Sequence, residues 1–376
     1  MSGIYIHIPF CHTKCGYCDF YSIGKRFYTD NFPELIAKEI KLRKAFLSDH
    51  TVETIYFGGG TPSILKPKHI EHIINAIQKE FNVIANPEIT LEANPDDLTI
   101  ETLKQISDVG VNRLSIGIQS FNDEELKTLG RRHNVNASIN AIRSSQNVGF
   151  NNISIDLIYG IPKSTEKSWI ENLQKAFTMG VQHLSCYHLT YEQGTPITRK
   201  VRIGKLSEVS EEISVLQYEL LRKLTAEAGF EHYEVSNFAL PGYISKHNSA
   251  YWLGKEYLGV GPAAHSFNGK VREWNPPSLD TWASGIKSNQ PATEQEVISK
   301  QIRFNELLVT NLRTKWGISI KNISKNIGKS YAQKLLNDSR PFLIDGKMLY
   351  IDEDVLLIPP QYYFISDAIV ESLIVV

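Results

Sequence analysis

Three cysteines near the start of the chain form the segment whose residue types and spacing are best suited to chemistry. Cys11, Cys15 and Cys18 follow the pattern C-x3-C-x2-C, directly after the apolar run at residues 4–10. They are three of the four cysteines in the sequence, and the fourth, Cys186, lies far along the chain. Three thiolates so close together are typical of a metal centre rather than of a disulfide framework.

The spacing favours an iron–sulfur cluster over zinc. A structural zinc site takes four protein ligands, often from two C-x-x-C-like pairs, and this sequence has no second pair. A [4Fe–4S] cluster needs one ligand per iron, so three cysteines leave the fourth iron open for a small molecule. Zinc with His7 or His12 as the fourth ligand is the alternative that the spacing leaves open.

The cysteines must be positioned by strands and helices, which alternate along the sequence up to about residue 190. Short β-branched runs predict strands, and the amphipathic stretches between them predict helices. The alternation indicates an α/β fold with a parallel sheet and helices outside it. The predicted strands are residues 4–8, 54–57, 88–92, 113–118, 152–157 and 183–188, and the predicted helices are residues 32–47, 67–81, 100–108, 135–148 and 166–179.

Polar residues and glycines lie where these predicted strands end. In parallel βα folds, the loops after the carboxyl ends of the strands carry the functional site. The cysteine segment follows the first strand, and a glycine run at residues 58–60 follows the second. The later strands end near Glu92, Gln119, Asp156 and Thr190. A capping or turn role is the alternative for each residue taken singly, but together they predict one site at this rim.

S-adenosylmethionine is a ligand that an open iron can take, and a reduced cluster can convert it to a radical. The glycine run permits a close backbone approach to such a ligand. Arg131, or Arg132 as the alternative, is available for its carboxylate. Glu92 and Asp156 can accept its ribose hydroxyls, and Tyr17 can lie against its adenine. A tight turn and a solvated arginine are the structural alternatives for the glycines and for Arg131.

The pattern changes after about residue 195, and we predict three regions. Residues 1–195 form a barrel core, residues 196–294 extend it, and residues 295–376 form a small C-terminal domain. In that domain, helical patterns at 299–312, 320–327 and 331–337 precede Asp345-Gly346, a dipeptide between apolar runs that predicts a hairpin. Three helices and a hairpin resemble a winged-helix unit. Without a concentrated basic helix, we expect packing or partner docking rather than nucleic-acid binding.

Composition limits the class of protein. The 376 residues are 42% hydrophobic and 22% charged, which is typical of a soluble globular protein. The formal net charge of −1 gives no basic surface that would predict nucleic acid as a partner. No apolar run approaches the ~20 residues of a membrane span, and we see no signal peptide. Clustered free cysteines predict a reducing, cytoplasmic location, with membrane contact only through partners.

Six short segments resemble the radical S-adenosylmethionine superfamily and, within it, the oxygen-independent coproporphyrinogen III oxidase-like family. They are YIHIPFC at 5–11, CGYC at 15–18, FGGGTP at 57–62, GIQSF at 117–121, GR at 130–131 and IDLIYGIP at 155–162. The resemblance implies an incomplete (β/α)6 barrel with a [4Fe–4S] cluster on the three cysteines. It places the contacts to S-adenosylmethionine on Tyr5, Tyr17, Gly59, Gly60, Thr61, Glu92, Gln119, Arg131 and Asp156, with Thr190 as a secondary assignment.

Two departures from the oxidases point to another branch of that family. The oxidases carry a further cysteine two residues after the third cluster ligand, where this chain has Phe20. They also have an N-terminal extension, whereas the first predicted strand begins here at residue 4. The sequence is more similar to the haem chaperone branch, which binds haem and delivers it to respiratory haem proteins. A homodimer is compatible with that resemblance, and oxidative decarboxylation of coproporphyrinogen III is the alternative function.

The haem chaperone branch carries the word H-N-x-x-Y-W, which matches His247, Asn248, Tyr251 and Trp252. Imidazole is a common axial ligand of haem iron. Tyrosine and tryptophan offer flat apolar surface to a porphyrin. The resemblance therefore implies haem binding at this segment, with ligation by His247, and the alternative is a turn-capping histidine beside a core tryptophan. His265, in the glycine-rich segment 259–266, is a second candidate.

Overall fold

The computed structural model describes residues 1–375, which are organised by one sheet of twelve strands. Strands β1 to β6 run parallel in sequence order, as the sequence predicts. The strands of this sheet are β1 Ser2–Ile8, β2 Thr51–Gly59, β3 Asn82–Ala93, β4 Arg113–Gln119, β5 Ile153–Tyr159, β6 His183–His188, β7 Glu231–Glu234, β8 Asn237–Ala239, β9 Tyr257–Val260, β10 His265–Phe267, β11 Val271–Trp274 and β12 Glu294–Val297.

The sheet order is β12-β11-β10-β9-β1-β2-β3-β4-β5-β6-β8-β7. Antiparallel strands extend both sides of the parallel part. Among residues 1–375, the end strands β12 and β7 do not pair with each other, so the barrel is incomplete. This open α/β architecture confirms the predicted fold class.

Fourteen helices accompany the sheet in residues 1–375, and α1 to α6 connect its successive parallel strands. They are α1 Phe32–Arg43, α2 Pro67–Glu80, α3 Ile100–Asp108, α4 Asp123–Leu129, α5 Val135–Val148, α6 Glu166–Thr178, α7 Pro196–Arg202, α8 Glu211–Glu227, α9 Lys246–Trp252, α10 Leu279–Lys287, α11 Lys300–Asn311, α12 Ile320–Asn326, α13 Lys329–Ile344 and α14 Ser366–Leu373. Short 3-10 turns lie at Lys25–Phe27, Lys44–Phe46, Pro62–Ile64, Pro95–Asp97 and Pro360–Ile365.

Local sequence explains these boundaries. Every residue of β4 is buried, as expected for a strand covered on both faces. Thr99 caps α3, because its hydroxyl oxygen accepts a hydrogen bond from the amide of Thr102 at 3.1 Å. Gly149 ends α5 with a φ of 108°, a left-handed conformation that glycine adopts without strain.

The parallel part contains one strand that the sequence did not predict. Strand β9 pairs in parallel with β1 and includes Gly259, the first residue of the glycine-rich segment. Glycine is required there, because a Cβ on Gly259 would lie 2.0 Å from the carbonyl oxygen of His265. Helices α4, α7 and α9, each of seven residues, were also not predicted.

The C-terminal helices pack around a second sheet in the order β13-β15-β14, where β13 is Ile318–Ser319, β14 is Leu349–Ile351 and β15 is Val355–Leu357. The predicted hairpin at Asp345-Gly346 is wrong. Gly346 instead follows the end of α13 with a φ of 70°, and its amide donates to the carbonyl of Leu343. The hairpin turn lies at Asp352 and Glu353, both at φ 51°. An Asp-Gly pair therefore ends a helix here rather than joining strands.

The predicted boundaries after residues 195 and 294 stay predictions. Strand β12 begins at Glu294 and continues to Val297, so the second boundary falls inside a strand of the large sheet. One hydrophobic core runs from Ile4 in β1 to Leu373 in α14. None of the helices in residues 1–375 is long and apolar enough to cross a bilayer.

Candidate functional site

The cysteine segment and the carboxyl ends of the parallel strands surround a cavity of about 470 Å³, which we call the cysteine cavity. All but one of the residues assigned to the cluster and to S-adenosylmethionine line it. They are Cys11, Cys15, Tyr17, Cys18, Gly59, Gly60, Thr61, Glu92, Gln119, Arg131, Asp156 and Thr190. The exception is Tyr5, which faces a second cavity on the other side of the cysteine segment.

The three thiols line the cysteine cavity, and two of them receive hydrogen bonds from side chains outside the cysteine segment. The guanidinium of Arg131 donates to the sulfur of Cys15 at 3.2 Å, and the hydroxyl of Thr61 donates to the sulfur of Cys11 at 3.5 Å. Burial raises the pKa of the Cys18 thiol. Hydrogen-bond donors aimed at sulfur stabilise thiolates, the form in which cysteine binds metal. The donor set therefore fits an iron–sulfur cluster.

The two histidines proposed as a fourth zinc ligand do not line the cysteine cavity. His7 hydrogen-bonds the hydroxyl of Tyr5 at 3.0 Å and the carbonyl of Tyr21 at 3.1 Å. His12 lies beside Lys25 and Asp97. Among residues 1–375, no group of three His, Cys, Asp or Glu side chains converges as a single-ion site. The placement of these histidines gives the zinc alternative no fourth ligand.

Arg131 lies inside the cavity, whereas Arg132 points away from it. Besides Cys15, the Arg131 guanidinium donates to the carbonyl of Gly117 at 2.8 Å and to the side-chain oxygen of Asn94. Its Nε atom is buried without a hydrogen-bond partner among the described residues. Arg132 forms ion pairs of 3.4 and 3.6 Å with Asp96 and Asp97, outside the lining of the cavity.

Two acidic side chains line the cavity wall with raised pKa values. Glu92 accepts hydrogen bonds from the hydroxyl of Tyr56 at 2.8 Å and from the amide of Gly59 at 3.1 Å. Burial, with a contribution from the charge of Asp156, raises the pKa of Glu92 to about 7. Burial likewise raises the pKa of Asp156 to about 6. A carboxylate has about four acceptor sites, so both side chains retain capacity to accept hydrogen bonds from ribose hydroxyls.

The glycine run is needed by the protein itself as well as by any ligand. A Cβ on Gly59 would lie 2.6 Å from the ring of His7, and one on Gly60 would lie 2.8 Å from the carbonyl oxygen of Phe10. Gly59 also has a φ of 110°. The amide of Gly60 donates to the carbonyl of Ile8 at 2.8 Å. These contacts hold the end of β2 against the strand that leads into the cysteines.

Gln119 is the one residue of this rim with an unusual backbone for its type. It is buried at the end of β4 with a φ of 68°. Such left-handed conformations in residues other than glycine cluster at binding and active sites. The nearby Gly117 makes room for the Gln119 side chain, because a Cβ on Gly117 would lie 2.9 Å from the side-chain nitrogen of Gln119.

A larger cavity of about 890 Å³ lies on the other side of the cysteine segment, and we call it the aromatic groove. Phe20 lines both cavities and is 65% exposed. The aromatic groove is lined by six aromatic rings, from Tyr5, Phe20, Tyr21, Tyr251, Tyr257 and Phe267, and by residues of helix α11. The contribution of α11 could not be predicted from the sequence, because no local pattern shows which distant segments that helix packs against.

The H-N-x-x-Y-W segment forms helix α9, and only its tyrosine lines the aromatic groove. His247 is 1% exposed, and its two ring nitrogens bond the hydroxyls of Thr54 at 2.7 Å and Tyr251 at 2.9 Å. Asn248 and Trp252 are half-buried outside the groove lining. The surroundings of His247 give no support to its prediction as a direct haem ligand, because neither ring nitrogen is free.

Comparisons with known proteins decide between the families that share this architecture. Residues 5–176 match the Radical SAM superfamily. The chain is 34% identical over 354 residues to the heme chaperone HemW of Lactococcus lactis, covering 93% of this chain and 91% of that protein. The chain belongs to the HemW family. Membership of the radical SAM superfamily implies a [4Fe–4S] cluster and S-adenosylmethionine, which the cysteine cavity fits.

Other HemW relatives extend over the whole chain. The HemW protein of Mycobacterium tuberculosis is 31% identical over 377 residues, covering 99% of this chain and 94% of that protein. The solved structure of coproporphyrinogen III oxidase (HemN) from Escherichia coli superposes with a TM-score of 0.85 at 22% identity, covering 99% of this chain and 89% of that one. The HemN match shows that the fold, including the C-terminal unit, is shared across both branches.

Proposed function

We propose that this chain is a cytoplasmic haem chaperone that binds haem and delivers it to respiratory haem proteins. The observation that carries the proposal is the 34% identity to a heme chaperone over 91% of that protein's length. Phe20 supports it, because the oxidases resembled here have cysteine at this position. Oxidative decarboxylation of coproporphyrinogen III is the competing function, and the match to HemN bears only on the fold.

In this proposal Cys11, Cys15 and Cys18 hold the cluster, and Arg131 and Thr61 stabilise two of the thiolates. When bound, the reduced cluster supplies the electron that cleaves S-adenosylmethionine in radical SAM proteins. The protein's own contribution is to place the three sulfurs around one cavity and to direct hydrogen-bond donors at two of them. A reducing compartment is required for the thiols to stay available.

The remaining lining of the cysteine cavity is proposed to bind S-adenosylmethionine. Arg131 supplies a cation for the carboxylate, and Glu92 and Asp156 accept the ribose hydroxyls. Gly60 and Thr61 leave space beside the cysteines, and Tyr17 offers a flat ring. Gln119 and Thr190 complete the rim. Tyr5 is assigned to the aromatic groove, since it does not line the cysteine cavity.

The aromatic groove is proposed to carry the haem. Tyr251 contributes its ring directly, and His247 acts behind it by fixing the Tyr251 hydroxyl. Asn248 and Trp252 support the same helix. Because Phe20 lines both cavities, the aromatic groove adjoins the cysteine cavity. We further propose that haem-receiving respiratory proteins are the partners of this chain and that the chain forms a homodimer.

Haem transfer tests the proposal. The full chain is loaded with haem, freed of excess haem by gel filtration, and mixed with haem-depleted respiratory membrane vesicles, and cytochrome difference spectra are recorded. Restored cytochrome signals, faster than with haem-loaded serum albumin, would support a chaperone. A chain that binds no haem, or that transfers it no faster than albumin does, would contradict the proposed function.

A further inference from the structure

The aromatic groove has the lining that a flat, amphiphilic macrocycle needs. Its volume of about 890 Å³ lies in the range of small-molecule sites. Phe267 and Tyr257 present apolar ring surface, and Ile302 and Val309 of α11 add aliphatic side chains to the lining. Val309 is 37% exposed and Phe20 65% exposed, so two apolar side chains at the groove lack cover in the described chain. A macrocycle seated there would cover them.

Three histidines stand at or beside the groove, and one of them has a free ring. Both ring nitrogens of His7 are hydrogen-bonded, and so are both of His247. His265 lines the groove, is exposed, and makes no hydrogen bond through its ring within residues 1–375. Its ring lies against Trp274 at a centroid distance of 5.9 Å. His265 is therefore the imidazole that is available to a ligand.

Strand geometry aims His265 into the groove. In a strand, residues two apart share a face, so His265 and Phe267 point the same way on β10. The intervening Ser266 points inward, where its hydroxyl contacts Gly259 and receives a hydrogen bond from Arg43 at 2.9 Å. Partial burial and the nearby Arg272 lower the pKa of His265, which favours the neutral ring that binds metal.

The groove also carries an excess of positive charge. Its lining includes Lys255, Arg272 and Arg303 but one carboxylate, Glu306. Glu306 pairs with Arg272 at 2.8 Å and with Arg303 at 3.5 Å, so the two guanidiniums share one anion. Both guanidiniums also lie near the ring of Phe267, at 5.7 and 5.1 Å. The guanidiniums of Arg272 and Arg303 therefore retain N–H donors for the two propionates of a porphyrin.

We propose that His265 is the axial ligand of the iron of a haem carried in the aromatic groove, with Arg272 and Arg303 contacting its propionates. This assignment rests on the proposed function, because it names the site where the chaperone holds its cargo. His247 then serves as a positioning residue for Tyr251 rather than as the ligand.

The test is a haem titration of the full chain followed by its Soret and visible spectra. His265→Ala is expected to change the coordination spectrum and to weaken haem binding about tenfold or more. His265→Gly is expected to regain the wild-type spectrum when free imidazole is added, which a merely structural role would not produce. The exposed His50→Ala variant is the matched control and is expected to match the wild type.

The outcomes separate this inference from the function on which it rests. A wild-type chain that binds no haem overturns the proposed function. A wild-type chain that binds haem, with an unchanged spectrum in His265→Ala and an altered one in His247→Ala, overturns the assignment of His265 and returns the ligand to His247. A His265→Gly spectrum that imidazole does not restore also counts against ligation.

Discussion

Glu92 is the ionisable residue whose surroundings in the cysteine cavity have the clearest consequence. Its carboxylate contacts Tyr56 and Gly59, yet burial raises its pKa from 4.5 to about 7. A raised carboxyl pKa means that the folded chain disfavours the ionised form. The unfavourable contribution of ionised Glu92 to folding is absent well below pH 4.5, grows as the pH rises, and is fully present above pH 7.

We therefore expect Glu92→Gln to gain stability relative to the wild type as the pH rises from about 4.5 to 7. The pKa shift of Glu92 corresponds to a change of roughly 3 kcal/mol in the difference between the unfolding free energies of the two proteins across that window. The free energy of unfolding of the ligand-free proteins, measured in urea at several pH values, checks this. Parallel pH profiles for the two proteins would show that Glu92 is not the group responsible.

Arg131 and Arg132 form a matched pair, since they are adjacent and only Arg131 lines the cysteine cavity. Arg131→Ala is expected to weaken S-adenosylmethionine binding about tenfold or more, because a charge-assisted contact to its carboxylate is lost. Isothermal titration of reconstituted protein measures the affinity, and iron content shows whether the lost bond to Cys15 affects the cluster.

Arg132→Ala is the control and should bind S-adenosylmethionine as the wild type does, because Arg132 pairs with Asp96 and Asp97. Equal losses in both variants would contradict a specific role for Arg131.

The cysteine residues could be predicted from spacing alone, because a metal centre imposes its ligand geometry on a short local segment. His247 and His265 could not be ranked in the same way. The sequence places His247 beside two aromatic residues, yet its ring is enclosed by Tyr251 of the same helix and by Thr54 from a distant part of the chain. Only the packing of α9 on β2 decides which ring nitrogens remain free.

The element that most constrains the site is the glycine run at the end of β2. Gly59 has a φ of 110° and no room for a Cβ, whereas Gly149 has a φ of 108° with no atom within 4 Å of an added Cβ. An added side chain would thus meet the same backbone strain at both positions, but it would meet close neighbours only at Gly59. Together they separate the contribution of conformation from that of close packing.

We expect Gly149→Ala to destabilise the fold by about 1–2 kcal/mol, the cost of a left-handed conformation. Gly59→Ala should cost roughly 3–5 kcal/mol, because overpacking against His7 adds to the same strain. Urea unfolding of both variants measures the difference. Similar losses in the two variants would mean that the ring of His7 moves aside without cost.

The parallel strands β1 to β6 and the longer helices of the barrel core were predictable, since their hydrophobic periodicity identifies them locally. The strand β9 and the C-terminal hairpin were not. The first is a short segment whose glycines are required by a partner strand, through the contact of Gly259 with His265. The C-terminal hairpin lies further along the chain than predicted. Pro341 and Phe342 continue helix α13, whereas the apolar character of this segment favoured a strand.

At the scale of the whole molecule, two cavities share one border at the cysteine segment. The cysteine cavity has the residues that fit a radical SAM site, and the aromatic groove has the rings and charges with which we propose that it binds a porphyrin. Sequence alone located the first, because its motifs follow successive strands. It did not locate the second, since that groove is assembled from β1, α9, the β10–β11 hairpin and α11, which are far apart in the chain.

The central claim is that this chain carries haem and does not oxidise a porphyrin precursor. The most direct measurement is an anaerobic assay of the cluster-reconstituted chain with S-adenosylmethionine, a reductant and coproporphyrinogen III, run beside Escherichia coli coproporphyrinogen III oxidase. Porphyrin products are quantified by chromatography. We expect no more protoporphyrinogen than a Cys15→Ser control gives, from a preparation that binds haem. Efficient turnover to protoporphyrinogen would contradict it.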